Sequence, residues 1–127
     1  MKLTYQQIDE LNSVYLLVPF KGKAITAAGK NLAKLKPHLD TALTVKGKLV
    51  RQYTEGKESI SQDDQNWDKF VNDYSAFLQE TAEVNLEDFK KLKEDDIDTD
   101  NIPKTDGKPI NVQPHIGVLF GYGLLLE

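Results

Sequence analysis

About thirty consecutive residues, Ala24 to Tyr53, carry their apolar side chains at helical spacing. Ile25, Ala28, Leu32, Leu35, Leu39, Ala42, Leu49 and Tyr53 project within an arc of about 120° at 100° per residue. Lys23, Lys30, Lys34 and Lys48 fall on the opposite side. A continuous helix of this length would extend roughly 45 Å, so whatever else the chain does, it must supply partners for a long apolar stripe. Pro37 and Gly47 interrupt the run. An interior proline costs about 3 kcal/mol, which predicts either a kink near Pro37 or a break into two helices.

The natural partner follows in the sequence. Thr54 to Ile60 reads as a loop, and Ser61 opens a third helix with Asp64 three residues on as a capping box. Trp67, Phe70, Val71, Tyr74, Phe77 and Leu78 then make an amphipathic face rich in aromatics. Two such helices joined by a short loop predict an antiparallel hairpin. A shorter helix precedes them, over Leu3 to Val18. Thr4 and Gln7 form its capping box, Leu3 and Ile8 a hydrophobic staple, and Ile8, Leu11, Tyr15 and Val18 its buried face. Pro19 ends it, because the residue before a proline is pushed out of the helical region.

The last third is less regular. Ala82–Leu86 reads as a short strand and Leu86–Leu92 as a helical turn. Lys93–Lys108 reads as a polar loop, and Ile110–Val112 as a second strand pairing with the first. Pro114–Leu126 is apolar with three glycines. Pro114 at a first helical position and the segment's length still favour a helix there. The expected fold is mainly α: a long antiparallel helical hairpin, a short N-terminal helix and a minor two-stranded β element, α+β at the margin. The 127 residues form one domain, helical over about 4–80 and mixed over about 81–127.

Composition excludes several functions. The chain has no cysteine, which removes disulfides, thiolate nucleophiles, zinc ribbons and iron–sulfur sites. No apolar run approaches the roughly 18 residues of a membrane span, and the first residues lack the apolar stretch of a signal peptide. The expectation is a soluble, cytoplasmic domain. Charge is uneven. Residues 1–60 carry ten basic and five acidic groups, and residues 61–127 carry six basic and fifteen acidic, within a formal net charge of −4. Partial neutralisation of the two halves within one fold is the default reading, because no aromatic interleaves the lysines as a nucleic-acid platform requires.

No motif carries chemistry. Asp96, Asp98 and Asp100 stand at positions 1, 3 and 5 of a calcium loop, but Asn101 replaces the glycine of position 6 and Gly107 the bidentate glutamate of position 12. That segment reads as a solvated acidic loop. Gly22 to Asn31 fails as a phosphate loop: its glycines are too far apart, and Asn31 replaces the magnesium-binding hydroxyl. Gly121-Tyr122-Gly123 lacks the third glycine of a dinucleotide site. His38 and His115 have no second ligand at helical spacing. No catalytic, cofactor-binding or metal-ligating residue is predicted, and no cofactor. The aromatic face of the third helix reads as core. The C-terminal run divides evenly between core insertion and an exposed assembly patch, so Ile116, Leu119, Phe120, Tyr122 and Leu124 are candidate interaction residues.

The order of features is also informative: the capped first helix, Pro19-Phe20-Lys21, then Ala27-Ala28, Lys30-Asn31, Leu35 and Arg51-Gln52-Tyr53, a further helix, Ala82-Glu83-Val84-Asn85-Leu86, and a closing segment after Pro114. Over most of its length the chain resembles a family of small bacteriophage and prophage proteins catalogued as a domain of unknown function. Its glycine-rich ending departs from that family's more regular closing helix. The resemblance implies a phage setting and brings no catalytic residues. The expected function is therefore non-catalytic: a phage-encoded protein acting by protein–protein binding, as a virion assembly or tail-region accessory. It would reside in the host cytoplasm or on the virion, without a membrane partner, and self-associate through residues 116–126. A second reading is a small inhibitor of a host protein such as a defence nuclease, with the acidic run 94–100 mimicking nucleic acid. A third is nucleic-acid binding through the basic face Lys23, Lys30, Lys34 and Lys48.

Overall fold

A computed structural model of the chain describes residues 1–126. The fold is mainly α with minor β. Strand β1 (Lys2–Thr4) leads into helix α1 (Tyr5–Leu17), followed by α2 (Lys23–Thr54), α3 (Trp67–Leu78) and strand β2 (Thr81–Glu83). Beyond them lie β3 (Leu92–Lys93), β4 (Lys104–Thr105), β5 (Lys108–Pro109), helix α4 (Gln113–Gly121) and β6 (Leu125–Leu126).

The capping box of α1 forms as its sequence requires. The Gln7 N–H donates to Thr4 Oγ1 at 3.1 Å, and the Thr4 N–H donates to Gln7 Oε1 at 2.9 Å. The helix stops at Val18, before Pro19. Its face Ile8, Leu11, Val14 and Tyr15 is buried.

Helix α2 is one uninterrupted helix of 32 residues through Pro37, so of the two expected outcomes, a kink or a break, the break does not occur. At 1.5 Å per residue it is about 48 Å long, whereas α1 and α3 each span about 20 Å. Neither can cover it alone. Helix α1 packs on its N-terminal half and α3 on its C-terminal half. The buried row follows the partners: Ala24, Ala28, Asn31 and Leu35 under α1, then Val50 and Thr54 toward α3. Ile25, expected in the stripe, is 60% exposed. Asn31 and Val50, outside the expected stripe, are buried.

Helix α3 begins five residues later than the capping pattern suggests, with Asn66 rather than Ser61 at its N-cap. Ser61 and Asp64 build turns instead, with the Asp64 N–H on the Ser61 carbonyl and the Trp67 N–H on the Asp64 carbonyl, each at 3.0 Å. Asp64 Oδ1 accepts from the Asn66 N–H at 2.8 Å, and Asn66 Nδ2 donates to the Tyr53 carbonyl at 3.0 Å. The loop is thereby tied to the end of α2, and the hairpin of α2 and α3 is as expected. Trp67, Phe70, Tyr74 and Phe77 follow one another with ring centroids 5.7, 5.8 and 6.4 Å apart. Tyr5, at the start of α1, stacks on Phe77 at 4.6 Å.

The strand pairing differs from expectation. β2 pairs antiparallel with β1, Leu3 opposite Ala82, rather than with residues 110–112. Those residues lead into α4, with Val112 buried at its N-cap. β4 and β5 form a small hairpin turned at Asp106 and Gly107, both at positive φ (54° and 78°), the pair of left-handed residues that a tight hairpin turn needs. Helix α4 packs against α1 and ends at Gly121 rather than continuing to Leu126. The chain turns at Gly123 (φ 70°) and returns as β6, parallel to β3. The core gathers α1, the first half of α2, the segment 84–97 and the C-terminal residues into one apolar cluster.

Candidate functional site

Because α1 and α3 share α2 end to end, their near ends meet over its middle. Tyr5, Leu39, Ala42, Leu43, Tyr74 and Leu78 line a groove there of about 260 Å³, with Asp9 and Asn12 on its rim. Leu43 is one of its lining residues and is 68% exposed. A lone exposed leucine is ordinary, but one set among two tyrosines and two further leucines forms an apolar patch with a polar edge. Partial burial, and the carboxylate of Asp9 after it, raise the Tyr74 hydroxyl above its ordinary value, so it stands as a neutral donor at the groove.

The C-terminal candidates divide. Ile116, Leu119 and Leu124 are buried in the core, the last two completely, and are corrected from surface contacts to packing residues. Helix α4 lays Ile116 and Leu119 against α1, and the turn at Gly123 folds Leu124 back beneath it. Phe120 (36% exposed) and half-buried Tyr122 alone reach the surface.

The four candidate lysines are also separated. The Lys34 ammonium donates to the Asp88 carbonyl and lies over the Phe89 ring, 5.6 Å from its centroid. Lys48 lies some 27 Å along α2 from Lys30, eighteen residues on. Lys23 and Lys30 remain together. With Thr26, Ala27 and Lys90 they line a cavity of about 290 Å³ beside the N-terminal turns of α2. Lys90 was missed in the sequence because it lies 59 residues from its anchor, Asn31. The available signal was Asn31 itself, a polar residue at spacings of 3 and 4 between Ala28 and Leu35.

Other titratable groups are spent locally. Asp96 Oδ2 accepts from the Lys93 N–H at 2.9 Å. Asp98 accepts from the Asp100 N–H at 3.1 Å and from Asn101 Nδ2 at 2.7 Å. The Asn101 bond, with the backbone donors and Lys21 adding to it, holds the Asp98 carboxyl below its usual range. This acidic loop is pinned to the α1–α2 connection by the Lys21 N–H on the Asp96 carbonyl (2.9 Å) and the Asp98 N–H on the Pro19 carbonyl (2.8 Å). His38 shares a shallow cavity with Glu83 and Asp88, but Glu83 pairs with the Met1 ammonium at 2.8 Å and Asp88 accepts from Asn85 at 3.0 Å. Among the described residues no three His, Asp or Glu side chains come together to hold a metal ion. No described helix is long and apolar enough to cross a membrane. The largest described cavity, about 430 Å³, lies beside the α2–α3 loop and is lined by polar residues, several of them bonded to that loop.

No family model, curated protein or solved structure matches the chain.

Proposed function

We propose that this chain is a non-catalytic binding protein whose target is another protein, docked in the groove where α1, α2 and α3 meet. One observation carries the reading: Leu43, 68% exposed, lines an apolar groove together with Tyr5, Leu39, Tyr74 and Leu78. Aromatic anchors beside an aliphatic floor, edged by Asp9 and Asn12, have the make-up of a binding hot spot with a polar rim. The groove suits an apolar side chain offered by a partner helix or loop. The resemblance in sequence supplies the setting, a phage protein, and so two sources of partner: a structural protein of the particle or a protein of the host. The inhibitor reading by nucleic-acid mimicry is weaker. Asp96 and Asp98 direct their carboxylates to their own loop, leaving fewer free charges to imitate phosphates.

The test is affinity capture with nuclease-treated lysates of host cells, infected and uninfected, using the native chain, Leu43→Glu and Lys48→Gln. Leu43→Glu places a charge in the groove and removes no buried packing, so folding is retained. The expected result is a protein partner held by the native chain and Lys48→Gln and lost with Leu43→Glu. Capture in infected lysate alone identifies a partner made by the phage. Equal capture by all three chains, or capture that disappears with nuclease, overturns the reading.

A further inference from the structure

We infer that the cavity formed by Lys23, Thr26, Lys30 and Lys90 is a binding site for a small polyphosphate anion. It lies apart from the α1–α2–α3 groove, and the inference does not rest on that reading.

The ammonium groups of Lys23, Lys30 and Lys90 make no hydrogen bond or ion pair among the described residues, and no carboxylate lines the cavity. Nearby cations do have partners: Lys34 holds the Asp88 carbonyl, Lys36 pairs with Asp40 at 3.1 Å, and Lys21 sits in the field of Asp98. Three neighbouring ammonium groups without counter-charge repel one another, and an anion of several charges relieves all three.

The N-terminus of α2 carries the positive end of its macrodipole, where acidic residues are favoured. Its first turn contains none, and Lys23 is its first residue. This arrangement opposes helix stability and complements a bound anion, which takes the place that a first-turn carboxylate would otherwise fill.

Lys90 is placed beside the cavity by Asn31, fully buried, which pairs with both backbone groups of that residue: the Lys90 N–H donates to Asn31 Oδ1 at 2.7 Å and Asn31 Nδ2 donates to the Lys90 carbonyl at 2.9 Å. Lys23 and Lys30 are two helical turns apart, about 10 Å. The third lysine is thus fixed beside them by a buried side chain that also ties α1 to α2.

Lysine ammonium groups act as point charges toward phosphate, and the Thr26 hydroxyl adds a neutral donor. The volume lies at the small end of ligand sites. No aromatic residue lines the cavity to stack a base, and Lys48 is too distant to continue a track for a nucleic-acid backbone. The ligand class is therefore a compact chain of phosphates, not a polymer.

Titration calorimetry of the native chain with inorganic tripolyphosphate at low salt tests this, with Lys30→Gln, Lys90→Gln and Lys48→Gln alongside. All three positions are exposed, so each variant keeps its fold, which its unliganded melting temperature verifies. The expected result is saturable binding at one site, weakened about tenfold by Lys30→Gln or Lys90→Gln and unchanged by Lys48→Gln. The melting temperature rises with tripolyphosphate only where the site is intact. Absence of saturable binding overturns the inference. So does equal weakening by Lys48→Gln, which marks diffuse attraction. Tighter binding of a short DNA duplex than of tripolyphosphate, with dependence on Lys48, assigns the face to a nucleic-acid backbone and overturns it as well.

Discussion

The side chain of Asn31 pairs with both the backbone N–H and the backbone carbonyl of Lys90. Its Oδ1 accepts from the Lys90 N–H at 2.7 Å, and its Nδ2 donates to the Lys90 carbonyl at 2.9 Å. The same Nδ2 reaches the Tyr15 hydroxyl at 3.1 Å. One buried amide therefore joins α1, α2 and the irregular segment after β2, which has little regular structure to satisfy its own backbone. Burying an amide is tolerable only when its hydrogen-bonding capacity is met, and here no buried side-chain nitrogen or oxygen among the described residues lacks a partner.

Asn31→Ala removes all three bonds, opens a cavity, and leaves the Lys90 N–H and carbonyl unpaired near the core. Unmet buried donors and acceptors cost about 1–3 kcal/mol each when desolvated. Partial access of water at Lys90 keeps the expected total loss to about 3 kcal/mol, read as a lower midpoint in denaturant unfolding. A loss below about 1 kcal/mol would mean that the Lys90 segment is held by its apolar neighbours Phe89 and Leu92 instead.

Tyr15 gives the fold an alkaline limit. Burial pushes its hydroxyl up to about 12, with the hydrogen bond from Asn31 acting in the opposite direction. The raised value means that the folded protein holds the neutral phenol while the unfolded chain ionises near 10. Its contribution is fully present below about pH 10 and is lost as pH rises toward 12, about 2 kcal/mol in all. Tyr15→Phe should flatten this part of the stability–pH curve, at a cost of about 1 kcal/mol at neutral pH for the lost hydrogen bond. Denaturant midpoints at several pH values check it. A slope in Tyr15→Phe equal to that of the native chain would assign the alkaline loss to the other tyrosines.

The helices were legible because periodicity and capping are local. Thr4 and Gln7 announce α1 within four residues, and the stripe of α2 repeats often enough to survive Pro37. What failed depended on distance. Three alternating residues at 81–83 fit any edge, and nothing local says that β1, some eighty residues earlier, is their partner. Ser61 and Asp64 match a cap, yet their polar groups serve turns that tie the loop to Tyr53. Asp106-Gly107 was a local hairpin signal left within a polar loop. Asn31 lies outside the apolar stripe, and the partner that explains its burial is 59 residues away. The groove was invisible for a related reason: it exists because two short helices meet over a long one, and no single segment encodes that junction.

The C-terminal segment separates core from surface within two adjacent residues. Leu119 is fully buried against α1, and Phe120 is 36% exposed. Hydrophobicity alone makes phenylalanine the costlier loss, but burial reverses the order. Leu119→Ala should destabilise by about 3 kcal/mol through lost transfer energy and the cavity left behind, and Phe120→Ala by less than about 1 kcal/mol. Thermal melts of the two variants check the order. The opposite order would mean that α4 is rotated on α1 and that Leu119 belongs to an assembly surface after all.

Pro37 lies exposed inside α2, where it removes one helical N–H and leaves the Ala33 carbonyl without its usual donor. The helix survives because each half is held by a different partner, α1 on one side of the proline and α3 on the other. Near the same place the Thr41 hydroxyl donates to the Pro37 carbonyl at 3.0 Å, a back-bond of the kind that bends helices. If Pro37 is only a local defect, Pro37→Ala restores the missing bond and stabilises the fold by about 1–3 kcal/mol, seen as a higher denaturant midpoint. If the path it imposes lets both short helices seat on one long helix, Pro37→Ala leaves the midpoint unchanged or lowers it. The geometry favours the gain: the residue is solvent-exposed, its ring lines none of the cavities described, and the groove at Leu39, Ala42 and Leu43 begins only after the helix has resumed its hydrogen bonding.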